Sequence, residues 1–265
     1  MRGWLAGILW VAGGVGLCGA GEMLDRVGLD FRGQYDPMMF KLVGGGTPER
    51  NCRIEKRGLR CSIAASDTEV SYCGLQARFV VRGDFELTGS YAILKLPEPP
   101  GGHGAGLKIS IKDAAGEGAS LQRLNMRGPG NGYSAHRAVL QGDGKPKHRS
   151  KLTATGATSG RLRLARAGAT LVYLAAEGDS AEFVELHREE FGSGDLTQVA
   201  FAAQTGEAAT DVDIVWTGLE VRADELVRLH EYAGRGDWRG AVLAVLLAGV
   251  VILGAAIVWW RRKSP

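Results

Sequence analysis

The chain has 265 residues, of which 45% are hydrophobic and 23% charged, and its formal net charge is +3. Two apolar segments at its ends leave roughly 200 residues for folding, the size of one ordinary domain with one core. Basic residues are scattered among acidic ones along the chain. The charge pattern therefore lacks the concentrated positive run of nucleic-acid-binding proteins, and nucleic acid is not expected as a partner.

The N-terminal segment has the features of a secretory signal peptide. Met1 and Arg2 form a short charged region, an apolar stretch follows over residues 4–17, and small residues follow at Gly19 and Ala20. We predict that residues 1–20 are removed on secretion. An uncleaved membrane anchor is the alternative, but the segment is short and interrupted by glycines.

Three cysteines remain after this removal, Cys52, Cys61 and Cys73. Secretion exposes them to oxidising surroundings, in which one disulfide is expected. If residues 56–57 form the tip of a hairpin, Cys52 faces Cys61 in a non-hydrogen-bonded pair, where side chains come closest. Gly58 also suits a bulged turn that shifts the register by one residue, and Cys73 is then the alternative partner. We predict a bridge between Cys52 and Cys61.

Alternation of apolar residues with period two predicts the next strands. The apolar positions of the first run are Phe79, Val81, Phe85, Leu87, Tyr91 and Ile93. The triplet Arg82-Gly83-Asp84 interrupts this run, which predicts a turn between two strands. Further strands are expected around residues 107–111 and 133–140. The glycine-rich and charged stretch 141–150 is a candidate mobile loop, where sandwich folds often carry binding groups.

The later part of the domain continues the same pattern. Residues 161–164 are expected to pair with residues 170–174 across a turn at Gly168, and further strands follow at 182–186, 196–203 and 212–221. The total of roughly nine to twelve strands is typical of a sandwich. One helix is predicted over residues 223–233, because Asp224 and Glu225 favour a helix N-terminus.

The C-terminal segment predicts a membrane anchor. Residues 241–260 contain no charged side chain, and a helix of this length crosses roughly 30 Å of hydrocarbon. The cations Arg261, Arg262 and Lys263 follow directly, as expected on the cytoplasmic side. We predict a juxtamembrane helix and linker over residues 223–240, a transmembrane helix over 241–260 and a cytoplasmic tail over 261–265. The protein is thus expected in a cell membrane as a single-pass protein with its N-terminal domain extracytoplasmic.

Segments 80–88, 160–164 and 171–174 resemble concanavalin A-like lectin/glucanase sandwiches. More narrowly, the strand Gly-Asp-Phe-Glu-Leu-Thr at 83–88 and the turn Leu-Ala-Ala-Glu-Gly at 174–178 are similar to those of an uncharacterised bacterial family of secreted proteins, a domain of unknown function. The resemblance implies an all-β, two-sheet antiparallel jelly-roll sandwich over residues 21–222. It also implies carbohydrate binding, the commonest role of the wider superfamily.

Catalytic residues are not predicted. Retaining glycosidases need two carboxylates about 5–5.5 Å apart, which one strand supplies when acids alternate on one face. The glucanase pattern Glu-x-Asp-x-Glu is absent. The nearest arrangements are Asp211 with Asp213 and Glu182 with Glu185, and the first is more simply the polar face of a strand. We therefore expect a protein that is not an enzyme.

Metal and sugar-binding residues are equally hard to assign. The five histidines are far apart and show no metal-ligand spacing with the cysteines, so we interpret them as surface residues. Turns at Asp143 and Asp179 contain too few acids for calcium, and no metal or other cofactor is predicted. Tyr133 or Tyr173 could stack on a sugar, although tyrosines in strands more often fill the core.

The sequence therefore predicts a membrane-anchored extracytoplasmic β-sandwich module that recognises a glycan or cell-envelope polymer without catalysis. Two alternatives remain open. One is a membrane-tethered glycoside hydrolase with an unrecognised site. The other is a purely structural envelope protein that packs against a neighbouring protein.

Overall fold

A computed structural model describes residues 25–31 and 35–229. They form fifteen strands and one short helix, and every strand pair is antiparallel. The elements are β1 (Asp25–Leu29), β2 (Phe40–Gly44), α1 (Pro48–Asn51), β3 (Cys52–Glu55), β4 (Gly58–Ile63), β5 (Tyr72–Ala77), β6 (Phe79–Lys95), β7 (Ala105–Asp113), β8 (Gly118–Met126), β9 (Gly130–Leu140), β10 (Pro146–Ala154), β11 (Ser159–Ala167), β12 (Thr170–Glu177), β13 (Val184–Glu190), β14 (Leu196–Gln204) and β15 (Val212–Arg228).

The strands form the two layers of a sandwich. The first layer has the order β2-β5-β14-β7-β8-β9-β10. The second has the order β15-β6-β11-β12-β13, with β1 and the β3–β4 hairpin along the free edge of β15. The two layers share a single ladder pair, Leu196 with Val81. The predicted all-β antiparallel sandwich is therefore confirmed.

The core lies between the layers because inward side chains alternate with outward ones along each strand. On β7 the side chains of Leu107, Ile109 and Ile111 are buried. At the centre, the Trp216 indole of β15 packs edge-on against Phe201 of β14, with ring centroids 5.8 Å apart. Gly89 of β6 leaves room for this indole, since a Cβ there would lie 2.6 Å from Trp216 Cζ3. The central packing thus depends on a small residue beside the largest buried side chain.

Several predicted pairings are confirmed. The β3–β4 hairpin has residues 56–57 at its tip, and Cys52 faces Cys61 in the expected register. Strand β11 pairs with β12 across a turn in which Gly168 has φ +59°. The predicted strands at 107–111, 133–140, 196–203 and 212–221 correspond to β7, β9, β14 and β15.

The turn predicted at Arg82-Gly83-Asp84 is wrong. Strand β6 continues through this triplet, and Gly83 has φ +66°. The ladder with β15 shifts register between Ala223 and Glu225, and the Asp84 N–H donates to Asp224 Oδ2 at 2.7 Å. The glycine therefore serves a bulge that keeps two long strands paired, not a chain reversal.

The helix predicted from residue 223 is also wrong in its first part. Strand β15 extends to Arg228, and Leu226 pairs with Val81 of β6. Asp25 Oδ2 accepts the Leu226 N–H at 2.7 Å. Pairing with a long neighbouring strand overrides the local helix signal of Asp224 and Glu225. The sandwich consequently reaches past the predicted boundary at residue 222.

The candidate loop 141–150 is partly strand. Gln141 and Lys145 close a tight connection through a backbone hydrogen bond of 2.9 Å, and β10 begins at Pro146. All but one of the β10 residues are exposed, so its ladder to β9 forms the strand without core packing. Such a polar edge strand has no apolar alternation from which sequence could predict it.

The predicted signal peptide over 1–20 and the predicted transmembrane helix over 241–260 lie outside the described residues. Within residues 25–31 and 35–229, no helix is long and apolar enough to cross a membrane.

Candidate ligand-binding site

An open cleft of about 720 Å³ crosses the outer face of the first layer. Side chains from β5, β14, β7, β8, β9 and β10 line it. Neighbouring strands lie about 4.8 Å apart, so the five spacings between these strands give a length of roughly 24 Å. The cleft can therefore hold an extended ligand that lies across the strands.

Polar side chains form a row along this cleft because the antiparallel register aligns them. Lys108 of β7 lies opposite Gln122 of β8, which lies opposite Ser134 of β9. Gln204 Nε2 donates to Gln122 Oε1 at 2.9 Å, and Gln122 Nε2 donates to Ser120 Oγ at 2.8 Å. This network fixes the two amides and leaves their remaining groups to bind a ligand.

Basic side chains from β7, β9 and β10 come together beside this row. His136 Nε2 of β9 and His148 Nδ1 of β10 are 3.1 Å apart, and their rings stack with centroids 5.2 Å apart. Burial lowers the pKa of His136, and the charges of His148 and Lys108 lower it further. Burial also lowers the pKa of Lys108. We call Lys108, His136 and His148 the basic cluster.

Tyr72 supplies an exposed aromatic ring at the β5 end of the cleft, with 44% of its surface accessible. An aromatic ring in an open cleft gives the apolar face of a sugar a surface to pack on. The tyrosines considered from the sequence behave differently, because Tyr133 and Tyr173 are buried between the layers. The Tyr133 hydroxyl lies 3.2 Å from that of Tyr91. Sequence reasoning therefore named core tyrosines and missed the exposed one.

The acidic pairs considered from the sequence lie elsewhere. Asp213 accepts from Arg60 Nη2 at 2.7 Å, and Asp211 accepts from Lys95 Nζ at 2.6 Å on the second layer. Glu185 pairs with Arg188 on β13. Asp211, Asp213 and Glu185 are each held in an ion pair and do not line the cleft.

The cleft lining itself includes one carboxylate, Glu207, which is 76% exposed and lies 3.4 Å from His103 Nε2. The lining described here therefore does not bring two carboxylates together, as the general acid and nucleophile of a glycosidase require.

The three cysteines form a second group with chemical potential. Their sulfur atoms lie within 4.8 Å of one another, and all three side chains are buried. Hydrogen bonds from the Cys61 and Cys73 thiols lower the pKa of Cys52 to about 5. The same bonds to Cys52 raise the pKa of Cys61 and Cys73. Three sulfurs at this spacing have the ligand chemistry of a soft metal ion, although the sequence predicts no metal.

The structure has free thiols at these positions, with Cys52 Sγ and Cys61 Sγ 3.5 Å apart. A disulfide needs about 2.05 Å, so the predicted bridge is not shown and stays a prediction. Closing it requires only a small movement, because the two residues are directly opposed across the hairpin.

We expect the chain produced by secretion into an oxidising compartment to carry the Cys52–Cys61 bridge and a free Cys73. Mass spectrometry after alkylation without reduction would identify the linked peptide. Cys61→Ser should lower the free energy of unfolding by about 2–3 kcal/mol because it removes the cross-link. Cys73→Ser is the matched control that keeps the bridge. A linked peptide containing Cys73 would contradict this assignment.

The two-layer sandwich with a cleft across one layer is a concanavalin A-like fold of the lectin/glucanase type. Within that class the chain belongs to the family described as protein of unknown function (DUF1583) C domain, whose profile matches residues 21–236. This confirms both resemblances drawn from the sequence. No curated protein matches the chain.

Solved structures share the fold at low identity. A pseudo β-1,3-glucanase and immunostimulatory antigen of Mycobacterium tuberculosis has a TM-score of 0.54 at 11% identity, covering 77% of this chain and 100% of that chain. LamAcat from Zobellia galactanivorans has a TM-score of 0.52 at 10% identity, and the match covers 74% of this chain and 96% of that chain. The Crh5 transglycosylase has a TM-score of 0.53 at 9% identity, and the match covers 77% of this chain and 87% of that chain. At sequence identities this low, the matches show a shared fold and nothing about function.

Proposed function

We propose that the domain binds a glycan or other cell-envelope polymer in the cleft without cleaving it. The observation that carries this proposal is the lining of the cleft. It combines an exposed aromatic ring at Tyr72 with hydrogen-bonding side chains at Gln122, Gln204 and Ser134. Aromatic and amide groups in an elongated open cleft suit a chain of hydroxyl-rich rings.

Two further considerations support this function. Two of the proteins that share the fold are named for carbohydrates: a pseudo β-1,3-glucanase and a transglycosylase. The single cleft carboxylate, Glu207, is engaged with His103, which favours recognition over hydrolysis. In this proposal the sandwich has a jelly-roll topology and is held outside a cell membrane by the predicted helix over 241–260.

The test is a binding screen of the full chain, purified in non-ionic detergent, against cell-envelope polysaccharides, with chromatographic analysis for released products. We expect saturable binding and no products. Tyr72→Ala should lower the affinity by about fivefold, since an aromatic contact contributes on the order of 1 kcal/mol. Val184→Ala is the control, because Val184 is exposed on β13, outside the cleft.

Released products would overturn the non-catalytic proposal and favour the tethered hydrolase. Failure to bind any polymer would favour the purely structural envelope protein. Equal losses in Tyr72→Ala and Val184→Ala would show that binding occurs elsewhere on the domain.

A further inference from the structure

Lys108 lies in the cleft as a partly buried cation. Its side chain projects outward from β7, and burial lowers its pKa because the ammonium has lost part of its water shell. Within residues 25–31 and 35–229, no hydrogen bond or ion pair compensates this ammonium. A desolvated cation without a counter-charge costs folding free energy, and a bound anion would offset that cost.

The two histidines extend the same positive region. His136 and His148 face Lys108 from β9 and β10, and their rings are in direct hydrogen-bond contact. The charges that act on His136 come from three sides: His148 and Lys108 oppose its protonation, while Glu189 of β13 favours it. When neutral, each ring has one donor and one acceptor nitrogen, and protonation turns both nitrogens into donors.

Negative charge is scarce at this end of the cleft. The one lining carboxylate, Glu207, follows β14 and pairs with His103 at the opposite end from β10. Within the cleft lining, the groups beside the basic cluster are the neutral side chains of Ser134, Ser150 and Leu152. Glu189 of β13, which also acts on His136, is not part of this lining. The local charge is therefore positive, and it becomes more positive when His136 is protonated.

We propose that the basic cluster is an anion-binding subsite and that the polymer bound in the cleft is acidic, carrying carboxylate, sulfate or phosphate groups. This inference rests on the proposed function, because it specifies the ligand class of the same cleft. Lys108 supplies a fixed ammonium donor to the anion. His136 and His148 supply ring N–H donors, and protonation of His136 adds a second donor on its ring.

The pH dependence has a definite sign. In the free protein the lowered pKa of His136 keeps its ring neutral near pH 7. A bound anion favours the charged ring and raises that pKa, so binding takes up protons. The affinity for an acidic polymer is therefore greater at pH 5.5 than at pH 8, and it decreases as salt is added.

The test compares polymers that share a backbone and differ in charge. Polygalacturonate is set against its methyl ester, dextran sulfate against dextran, and phosphomannan against mannan, with the full chain in non-ionic detergent. We expect one charged member to bind at least about tenfold more tightly than its neutral partner, which is the effect of one charge-assisted contact. The pair that shows the difference identifies the anionic group.

Two lysine variants test whether Lys108 causes the preference for the charged polymer. Lys108→Met should remove the preference for the charged polymer, whereas Lys112→Met should retain it, because Lys112 is exposed on the same strand beyond this cleft. His136→Gln should reduce the gain in affinity between pH 8 and pH 5.5. Lys108→Met should also fold at least as stably as the parent chain, since it removes a desolvated charge.

The outcomes separate this inference from the function on which it rests. Saturable binding in which neutral and charged members bind equally overturns the anionic subsite and leaves glycan recognition intact. Loss of the charge preference in Lys112→Met as large as in Lys108→Met also overturns it. If inorganic sulfate shifts the ring resonances of His136 but no polymer binds, the anion subsite is supported and polymer recognition fails.

Discussion

Replacement of Trp216 by alanine is expected to lower the free energy of unfolding by about 3–5 kcal/mol. The indole is fully buried between the layers, edge-on to Phe201 and directly above Gly89. Removing it leaves a cavity at the centre of the sandwich. The surrounding strands are held by their hydrogen-bond ladders, so they can move only partly into that cavity. Because a domain of this kind is stable by about 5–15 kcal/mol, the loss is a large share of the total.

Urea denaturation followed by circular dichroism measures this effect without relying on tryptophan fluorescence. Trp216→Phe is the control that keeps an aromatic ring in the same place. It also removes the Trp216 Nε1–H, which is buried without a hydrogen-bond partner among the described residues. We therefore expect it to cost markedly less than the alanine variant. Equal losses for both variants would contradict a central packing role for the ring.

The second large effect is expected for Glu117→Ala, which should destabilise the fold by about 3 kcal/mol. Glu117 forms an ion pair with Arg137, whose side chain is only 4% exposed. The guanidinium also donates to the carbonyls of Gly118 and Ala138 and lies 4.3 Å above the Phe191 ring. Loss of the carboxylate leaves a buried positive charge without its counter-ion.

A double-mutant cycle with Arg137→Met provides the control for this ion pair. The double variant removes both charges and keeps an apolar chain over Phe191. We expect it to be more stable than the sum of the two single losses predicts, with a coupling energy on the order of 1–3 kcal/mol. Additive losses in urea denaturation would show that the pair contributes no coupling.

The sequence could predict the strands that have one buried face and one solvent-exposed face. Residues 107–111 of β7 alternate cleanly because Leu107, Ile109 and Ile111 enter the core while Lys108 and Ser110 lie on the outer face of the layer. The hairpin register of Cys52 with Cys61 follows equally directly from the length of its tip.

Strand β8 was missed because polar residues occupy its buried positions. Ser120, Arg123 and Asn125 are all buried, so the apolar alternation fails. The Arg123 guanidinium is satisfied by the Ala157 carbonyl at 3.0 Å and by Asn131 Oδ1 at 3.0 Å. These partners come from other elements, and a local sequence pattern contains no information about them.

The cleft could not be predicted because each strand contributes only one to three side chains to it. One signal was nevertheless available for the histidines. His136 and His148 lie on either side of a short glycine-containing connection, and reading 141–150 as a hairpin tip with a strand on each side would have brought them together. Interpreting that stretch as a loop separated them.

Strand β10 forms one wall of the cleft while contributing almost nothing to the core, since eight of its nine residues are exposed. Substitutions at such exposed positions usually change stability by less than about 0.5 kcal/mol. The wall can therefore vary in charge and shape while the sandwich stays intact. Under the proposed binding function, substitutions along β10 would change ligand preference without affecting the residues that keep the domain folded.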